Sequence, residues 1–292
     1  MDNIGFIGLG RLGQAICLKL LEHGTPLYVN NRTKGKASTI LNKGAKWCDS
    51  PYLLGNDCNI IVLCLSDEEA TEELLYGSEN GIVFHCKRET ILIDMSTISP
   101  SSARNNYLIA KENGVEYVSC PVSGGVEGAT KGSLAAIVAT LPSVRSKVEP
   151  IISIFADRVT WLSSHSNVQK LKILNNLAES INLLGAFEVL SLGLEHDIPL
   201  SDLHSALTTC RGRSAYMDVA LDFLNTGQKS SNVSLAVRCK DLELSRLLTD
   251  TYEQYVLSDA ASTLFDKVIK KYGAENDQCE YFNFLTNKVG AK

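Results

Sequence analysis

Three short segments carry residue types that could do chemistry. The first, Gly8-Leu9-Gly10-Arg11-Leu12-Gly13, has the G-x-G-x-x-G spacing. In that pattern the first glycine permits a tight turn, the second lets a pyrophosphate approach the backbone, and the third lets a helix pack close on its strand. Unpaired N–H groups at the head of that helix then attract the phosphates. The second segment, Pro121-Val122-Ser123-Gly124-Gly125, combines two glycines whose backbone N–H groups are accessible with the hydroxyl of Ser123. It can hold a carboxylate without a dedicated arginine. The third, Lys172-Ile173-Leu174-Asn175-Asn176, puts an amine and an amide at i and i+4. On a helix these share a face and can converge on one substrate oxygen, whereas Lys170 points elsewhere.

A dinucleotide site needs a partner for the adenosine ribose. Where an NAD-binding chain usually carries a carboxylate, at the end of the second strand, this one has Asn30-Asn31-Arg32-Thr33. Neutral Asn31 followed by Arg32 removes repulsion toward a 2'-phosphate and supplies a planar, charge-assisted fork for it. The expected cofactor is therefore NADP, with NAD second.

The elements that must position these residues follow from periodicity. Residues 3–8 read as a strand and Leu12, Ala15, Ile16, Leu20 and Leu21 as a helix stripe; strands at 26–31, 59–65 and 90–95 and a helix at 34–44 follow. A helix at 101–113 and strands at 117–120 and 133–140 continue the alternation, which implies a parallel sheet covered on both faces. Beyond Leu162 the pattern becomes helical throughout, with a long amphipathic run over 168–193 and further helices at 200–208, 234–249 and 253–272. The expected fold is α/β: a doubly wound N-terminal Rossmann domain over 1–163, then an all-helical domain over 164–292, joined by a long interdomain helix. The polar stretch 163–167 marks the junction.

Composition narrows the function. A formal charge of -5 leaves no basic surplus for nucleic acid, and no Lys/Arg-rich run suggests an anionic membrane surface. The apolar runs 59–65 and 134–141 fall short of the roughly 20 residues that span a bilayer, and the start has no leader pattern. The nine cysteines form no Cys-x-x-Cys pair and the five histidines no metal spacing, so a reducing, cytoplasmic setting without a metal site is expected.

Across nearly the whole chain these segments resemble the β-hydroxyacid dehydrogenase family, which includes the 3-hydroxyisobutyrate, tartronate semialdehyde and glyoxylate/succinic semialdehyde enzymes. Gly5-Phe6-Ile7-Gly8-Leu9-Gly10 is similar to the family's opening strand and turn, and Asn31-Arg32-Thr33 to its NADP-using branch. Asp94-Met95-Ser96-Thr97 resembles its fourth-strand motif, which implies that Thr97 contacts both cofactor and substrate. Ser123-Gly124-Gly125 resembles its substrate segment, Lys172-x-x-Asn175-Asn176 its K-x-x-N-N signature, and Lys240-Asp241-Leu242 its K-D-L motif, whose lysine reaches the cofactor. Leu65 and Ser66, at the end of the third strand, complete the expected cofactor set. The stretch 163–167 stands where the family is glycine-rich, and Val233 where it commonly has an aromatic.

The resemblance implies hydride transfer between NADP(H) and a small β-hydroxy acid or semialdehyde, with Lys172 as general acid/base and Asn176 beside it. Lysine's ordinary pKa of about 10.4 is too high for a base at neutral pH, so burial between the domains and the positive oxidised nicotinamide would have to lower it. Imine reduction on the same architecture and a non-catalytic dinucleotide-binding scaffold are the alternatives. A homodimer or homotetramer, with a small carboxylate-bearing substrate as its partner, completes the expectation.

Overall fold

The computed structural model describes residues 3–227 and 233–289. β1 (Ile4–Ile7) passes through the glycine turn into α1 (Arg11–Glu22); β2 (Leu27–Asn30), a helical stretch ending in α2 (Ser38–Asn42), β3 (Lys46–Trp47) and α3 (Pro51–Asp57) follow. The second half-sheet is β4 (Ile60–Leu63), α4 (Glu68–Tyr76), β5 (Ile91–Asp94), α5 (Pro100–Glu112) and β6 (Glu116–Ser119). β1 to β6 are parallel, in the order β3-β2-β1-β4-β5-β6. Alternate strand residues feed two cores: Phe6, Val62 and Ile93 one, Ile7, Ile61, Leu63 and Leu92 the other. That alternation is what a sheet sandwiched between helix layers requires.

The sheet is extended by β7 (Val122–Ser123), α6 (Gly125–Lys131), β8 (Leu134–Ala139), α7 (Pro142–Phe155) and β9 (Ala156–Leu162). Here it departs from uniform parallelism, because β8 runs antiparallel to β6 and β7 and carries β9 parallel to itself. After β9 every described segment is helical or irregular: α8 (His165–Glu195), α9 (Leu200–Leu207), α10 (Ala215–Thr226), α11 (Leu235–Arg246), α12 (Val256–Tyr272) and α13 (Glu280–Val289). Phe187, Leu190, Leu221, Leu242, Phe265 and Tyr281 centre a separate core there.

The chain divides into two compact units, Met1–Lys172 and Ile173–Lys292, the division lying within α8. This is later than the polar stretch 163–167, whose His165 already starts α8 and is buried. α8 also corrects the expectation that apolar runs are short: an 18-residue stretch within it has a mean hydropathy of 1.4, long and apolar enough to cross a membrane by length and composition. Leu183, Phe187 and Leu190, on its buried side, belong to the core of the second unit.

Candidate active site

In the first unit the carboxyl ends of β1, β4 and β5 lie side by side on one sheet edge. The strand order reverses between β1 and β4, which opens a crevice at that edge for a ligand. Gly8 has φ +101°, and a Cβ on it would sit 2.2 Å from the Cys64 carbonyl oxygen, so only glycine makes this turn. On Gly13 a Cβ would lie 2.1 Å from the Gly8 carbonyl oxygen, which is the close packing of α1 on the turn. Gly10 differs: a Cβ there would meet nothing within 4 Å. The space beside Gly10 is open, and as the N-cap of α1 it supplies no side-chain cap. A pyrophosphate fits this cradle.

Asn31 does more than remove a charge. Its Oδ1 accepts from Leu9 N–H at 2.9 Å and its Nδ2 donates to the Thr33 carbonyl at 2.9 Å, tying the glycine turn to the loop that follows β2. Arg32 and Thr33 on that loop are exposed. Leu65 lies against the turn at Gly8. Ser66 is exposed, and its hydroxyl donates to Asp67, which caps α4 through Ala70 N–H. The glycine turn, Asn31 and Leu65 are thus brought together.

The Asp94–Thr97 segment is held by buried partners. Asp94, fully buried, accepts from Tyr117 Oη at 2.5 Å and from Ser96 N–H at 2.9 Å. Burial, then the adjacent Asp94, pushes the Tyr117 phenol well above its ordinary pKa, so it stays a donor. Ser96 Oγ is buried with no hydrogen-bond partner among the described residues. Thr97 is half-buried. Gln169, fully buried on α8, donates from Nε2 to the Ser96 carbonyl at 3.0 Å and accepts at Oε1 from Ile98 N–H at 3.3 Å. Lys172 follows one helical turn later and is only 7% exposed. His165 anchors the start of the same helix. Its Nδ1 lies 3.0 Å from Ser119 Oγ, its ring stacks on Tyr107 at 4.5 Å, and burial lowers its pKa to about 4.

Ser123 ends β7, and Gly124 and Gly125 turn the chain into α6 with φ of 123° and 61°. Both glycines are exposed and Ser123 is half-buried.

Asn176 opens the second unit's polar cluster, on the same face of α8 as Lys172 and equally buried. Its Nδ2 donates to Asp241 Oδ2 at 2.7 Å; because a carboxylate only accepts, the orientation of the amide is fixed. Lys240, expected at the cofactor, forms a close ion pair with Asp241 Oδ1 at 3.1 Å, without hydrogen-bond alignment, and keeps its side chain 26% exposed. Beneath them Arg238, 1% exposed, donates to the Asn176 carbonyl (3.0 Å), Ser180 Oγ (3.2 Å), Tyr216 Oη (2.9 Å) and Gln278 Oε1 (2.6 Å), with Glu179 3.4 Å away. Burial opposes that guanidinium's charge, yet Tyr216, Glu179 and Asp241 hold its pKa above the ordinary value.

Sequence reasoning missed Gln169, Arg238 and Glu179, and gave Asp241 no role although it stands in the K-D-L motif, because each works through a partner distant in the chain. Apart from that motif, the sequence signal was their place within a turn of Lys172, Asn176 or Lys240. Burial pushes the thiols of Cys58, Cys64, Cys86 and Cys120 up to about 12, so none is a nucleophile at neutral pH. Among the described residues no His/Cys/Asp/Glu group could hold a metal ion.

Comparison with known proteins gives a family match for each part of the chain. Residues 3–163 match the NAD binding domain of 6-phosphogluconate dehydrogenase, and residues 167–285 the NAD-binding domain of NADP-dependent 3-hydroxyisobutyrate dehydrogenase. The chain is 29% identical to 2-(hydroxymethyl)glutarate dehydrogenase of Eubacterium barkeri, over 83% of this chain and 81% of that one. It is 44% identical to Psf3, solved in complex with NADP+ and 2-OPP, with a TM-score of 0.94 over 97% of this chain and 99% of that one. An imine reductase from Myxococcus stipitatus, in complex with NADP+, shares the fold alone: 18% identity and a TM-score of 0.66, over 97% of this chain and 99% of that one.

Proposed function

The chain belongs to the β-hydroxyacid dehydrogenase family, and from that premise we propose that it transfers a hydride between NADP(H) and a small β-hydroxy acid or semialdehyde, with Lys172 as the general acid/base. The observation that carries this is a buried lysine one helical turn beyond the residue that clamps Thr97, in a chain whose glycine turn is open at Gly10. An ammonium is rarely buried to this degree unless it has work to do.

Bound NADP(H) supplies the hydride acceptor or donor. Gly8 to Gly13 would hold its pyrophosphate, with Asn31, Arg32 and Thr33 at the 2'-phosphate and Leu65, Ser66, Thr97 and Lys240 completing the surround. The chain's own part is positioning and proton transfer. Ser123, Gly124, Gly125, Thr97 and Asn176 hold the acid, and Lys172 donates to the carbonyl oxygen in reduction or accepts the alcohol proton in oxidation. The NADP+ complex of Psf3 supports the choice of cofactor, and the neutral Asn31 beside exposed Arg32 agrees with it. Imine reduction is the second possibility, since that fold is shared; the buried lysine favours an oxygen substrate.

We also infer a homo-oligomer acting in the cytoplasm. Leu174, Ala178, Ile181, Gly185, Val189 and Leu192 recur at three- and four-residue spacing on the less buried side of α8, and Leu192 is 57% exposed. A helix apolar on all sides needs cover on both, and a second copy of the chain would supply it.

The test is cofactor turnover with NADPH and NADH against succinic semialdehyde, tartronate semialdehyde and a cyclic imine, and with NADP+ against 3-hydroxyisobutyrate. Turnover of an oxygen substrate, with NADPH preferred by at least about tenfold, is expected. Turnover of the imine alone would replace the proposal, and firm NADPH binding without turnover would indicate a scaffold.

A further inference from the structure

We propose that Gln169 is the positioning residue that sets Lys172 against Thr97, an assignment that rests on the proposed reaction. A carboxamide presents one acceptor and one donor side by side, as a strand's edge does. Gln169 uses both on the backbone flanking a single residue: its Nε2 donates to the carbonyl before Thr97, and its Oε1 accepts from the N–H after it. The side chain is fully buried, so the two bonds are made without competition from water.

Both ends of this clamp are rigid. Ser96 N–H is already held by Asp94, itself held by Tyr117. Gln169 lies between buried Val168 and the next buried turn of α8, whose start is fixed by His165 on Ser119 and by Ser166 Oγ donating to the Pro100 carbonyl at 2.7 Å. Lys172 is the next residue on that side of the helix. The clamp therefore fixes the distance between a hydroxyl expected at the substrate and the amine expected to move its proton. Misplacement by about 1 Å can cost a hundredfold in rate, so the effect belongs in kcat rather than in cofactor affinity.

A conservative variant gives a readout that mere packing would not. In Gln169→Glu the protonated acid can accept from Ile98 N–H and donate to the Ser96 carbonyl, reproducing both bonds. Once ionised it loses the donor and turns a negative charge on that carbonyl. Burial raises the pKa of such a carboxyl toward neutrality.

The experiment measures kcat against pH for wild type, Gln169→Glu, Gln169→Leu and Lys172→Ala with NADPH and succinic semialdehyde, together with NADPH affinity and amide hydrogen exchange. Gln169→Glu is expected to stay within about threefold of wild type near pH 5.5 and to fall at least about tenfold further than wild type by pH 8. Gln169→Leu is expected to lose at least about tenfold in kcat at all pH values, with NADPH affinity within about twofold. Exchange at Ile98 N–H should accelerate at least about tenfold in Gln169→Leu while Ile91–Asp94 stay protected, a result that does not depend on turnover. Variants that follow the wild-type profile, an unchanged Ile98, or NADPH affinity lost in step with kcat would overturn the assignment. If Lys172→Ala is inactive while the Gln169 variants match wild type, only this inference fails; if Lys172→Ala keeps full turnover, the proposed reaction itself fails.

Discussion

Two glycines of the same motif have separable jobs, and substitution should separate them. Gly8→Ala places a Cβ against the Cys64 carbonyl at a φ that L-residues avoid, and should cost at least ~2 kcal/mol in urea unfolding. Gly10→Ala meets nothing in the protein, so it should leave the unfolding midpoint unchanged while weakening NADPH binding at least about tenfold by titration. Arg238→Leu should destabilise by about 3 kcal/mol, because it removes the buried guanidinium that Gln278, Tyr216 and half-buried Glu179 all pair with. At this scale the motif residues were legible because their spacing is local. The clamp at Gln169 and the carboxylate of Asp241 were not, since nothing local distinguishes a buried glutamine from a solvated one. Asn31 stands out in the sequence only for lacking a charge; its hydrogen bond to Leu9 is a tertiary fact no pattern contains.

At the scale of elements, β1, β2, β4, β5 and β6 were readable as mainly apolar runs because a sheet buried on both faces favours apolar residues, the polar ones standing at the strand ends. Several elements escaped, α4, α10 and α13 among them, and two of those that escaped, β9 and α7, have a diluted pattern. β9 carries exposed Asp157 and Arg158 on a strand at the sheet's outer edge, and α7 contains Pro150 within a helix. The helix expected at 34–44 is a 3-10 turn over Lys34–Ala37 followed by α2, with Gly35 in its first turn. The head of α8 carries a pH signature. His165 titrates at about 4 when folded against 6.5 ordinarily, so the unfolded chain binds the proton first. The stability it contributes is complete above pH ~6.5 and is lost as pH falls toward 4, by up to about 3 kcal/mol. His165→Phe keeps the ring on Tyr107 and removes the proton. Thermal melts from pH 7 to 4 should show a smaller fall for this variant than for wild type; equal falls would show that His165 does not carry the acid sensitivity.

For the whole molecule, the change from alternating strands to continuous helix was plain at Leu162, where β9 ends. The two compact units part within α8, which runs uninterrupted from one into the other, so no break in the pattern marks that division. Its apolar outer stripe bears on assembly. Leu192→Asp, an exposed position, should leave the fold intact and reduce the mass measured by light scattering to that of a smaller species, whereas an unchanged mass would remove this stripe as the interface. Above assembly stands the chemistry, which depends on one amine. Turnover of NADPH with the best semialdehyde, compared between wild type and Lys172→Ala at matched NADPH saturation, tests it most directly. A loss of about a hundred- to ten-thousandfold in kcat with NADPH affinity preserved is predicted; turnover within a few-fold of wild type would contradict the assignment of proton transfer to Lys172.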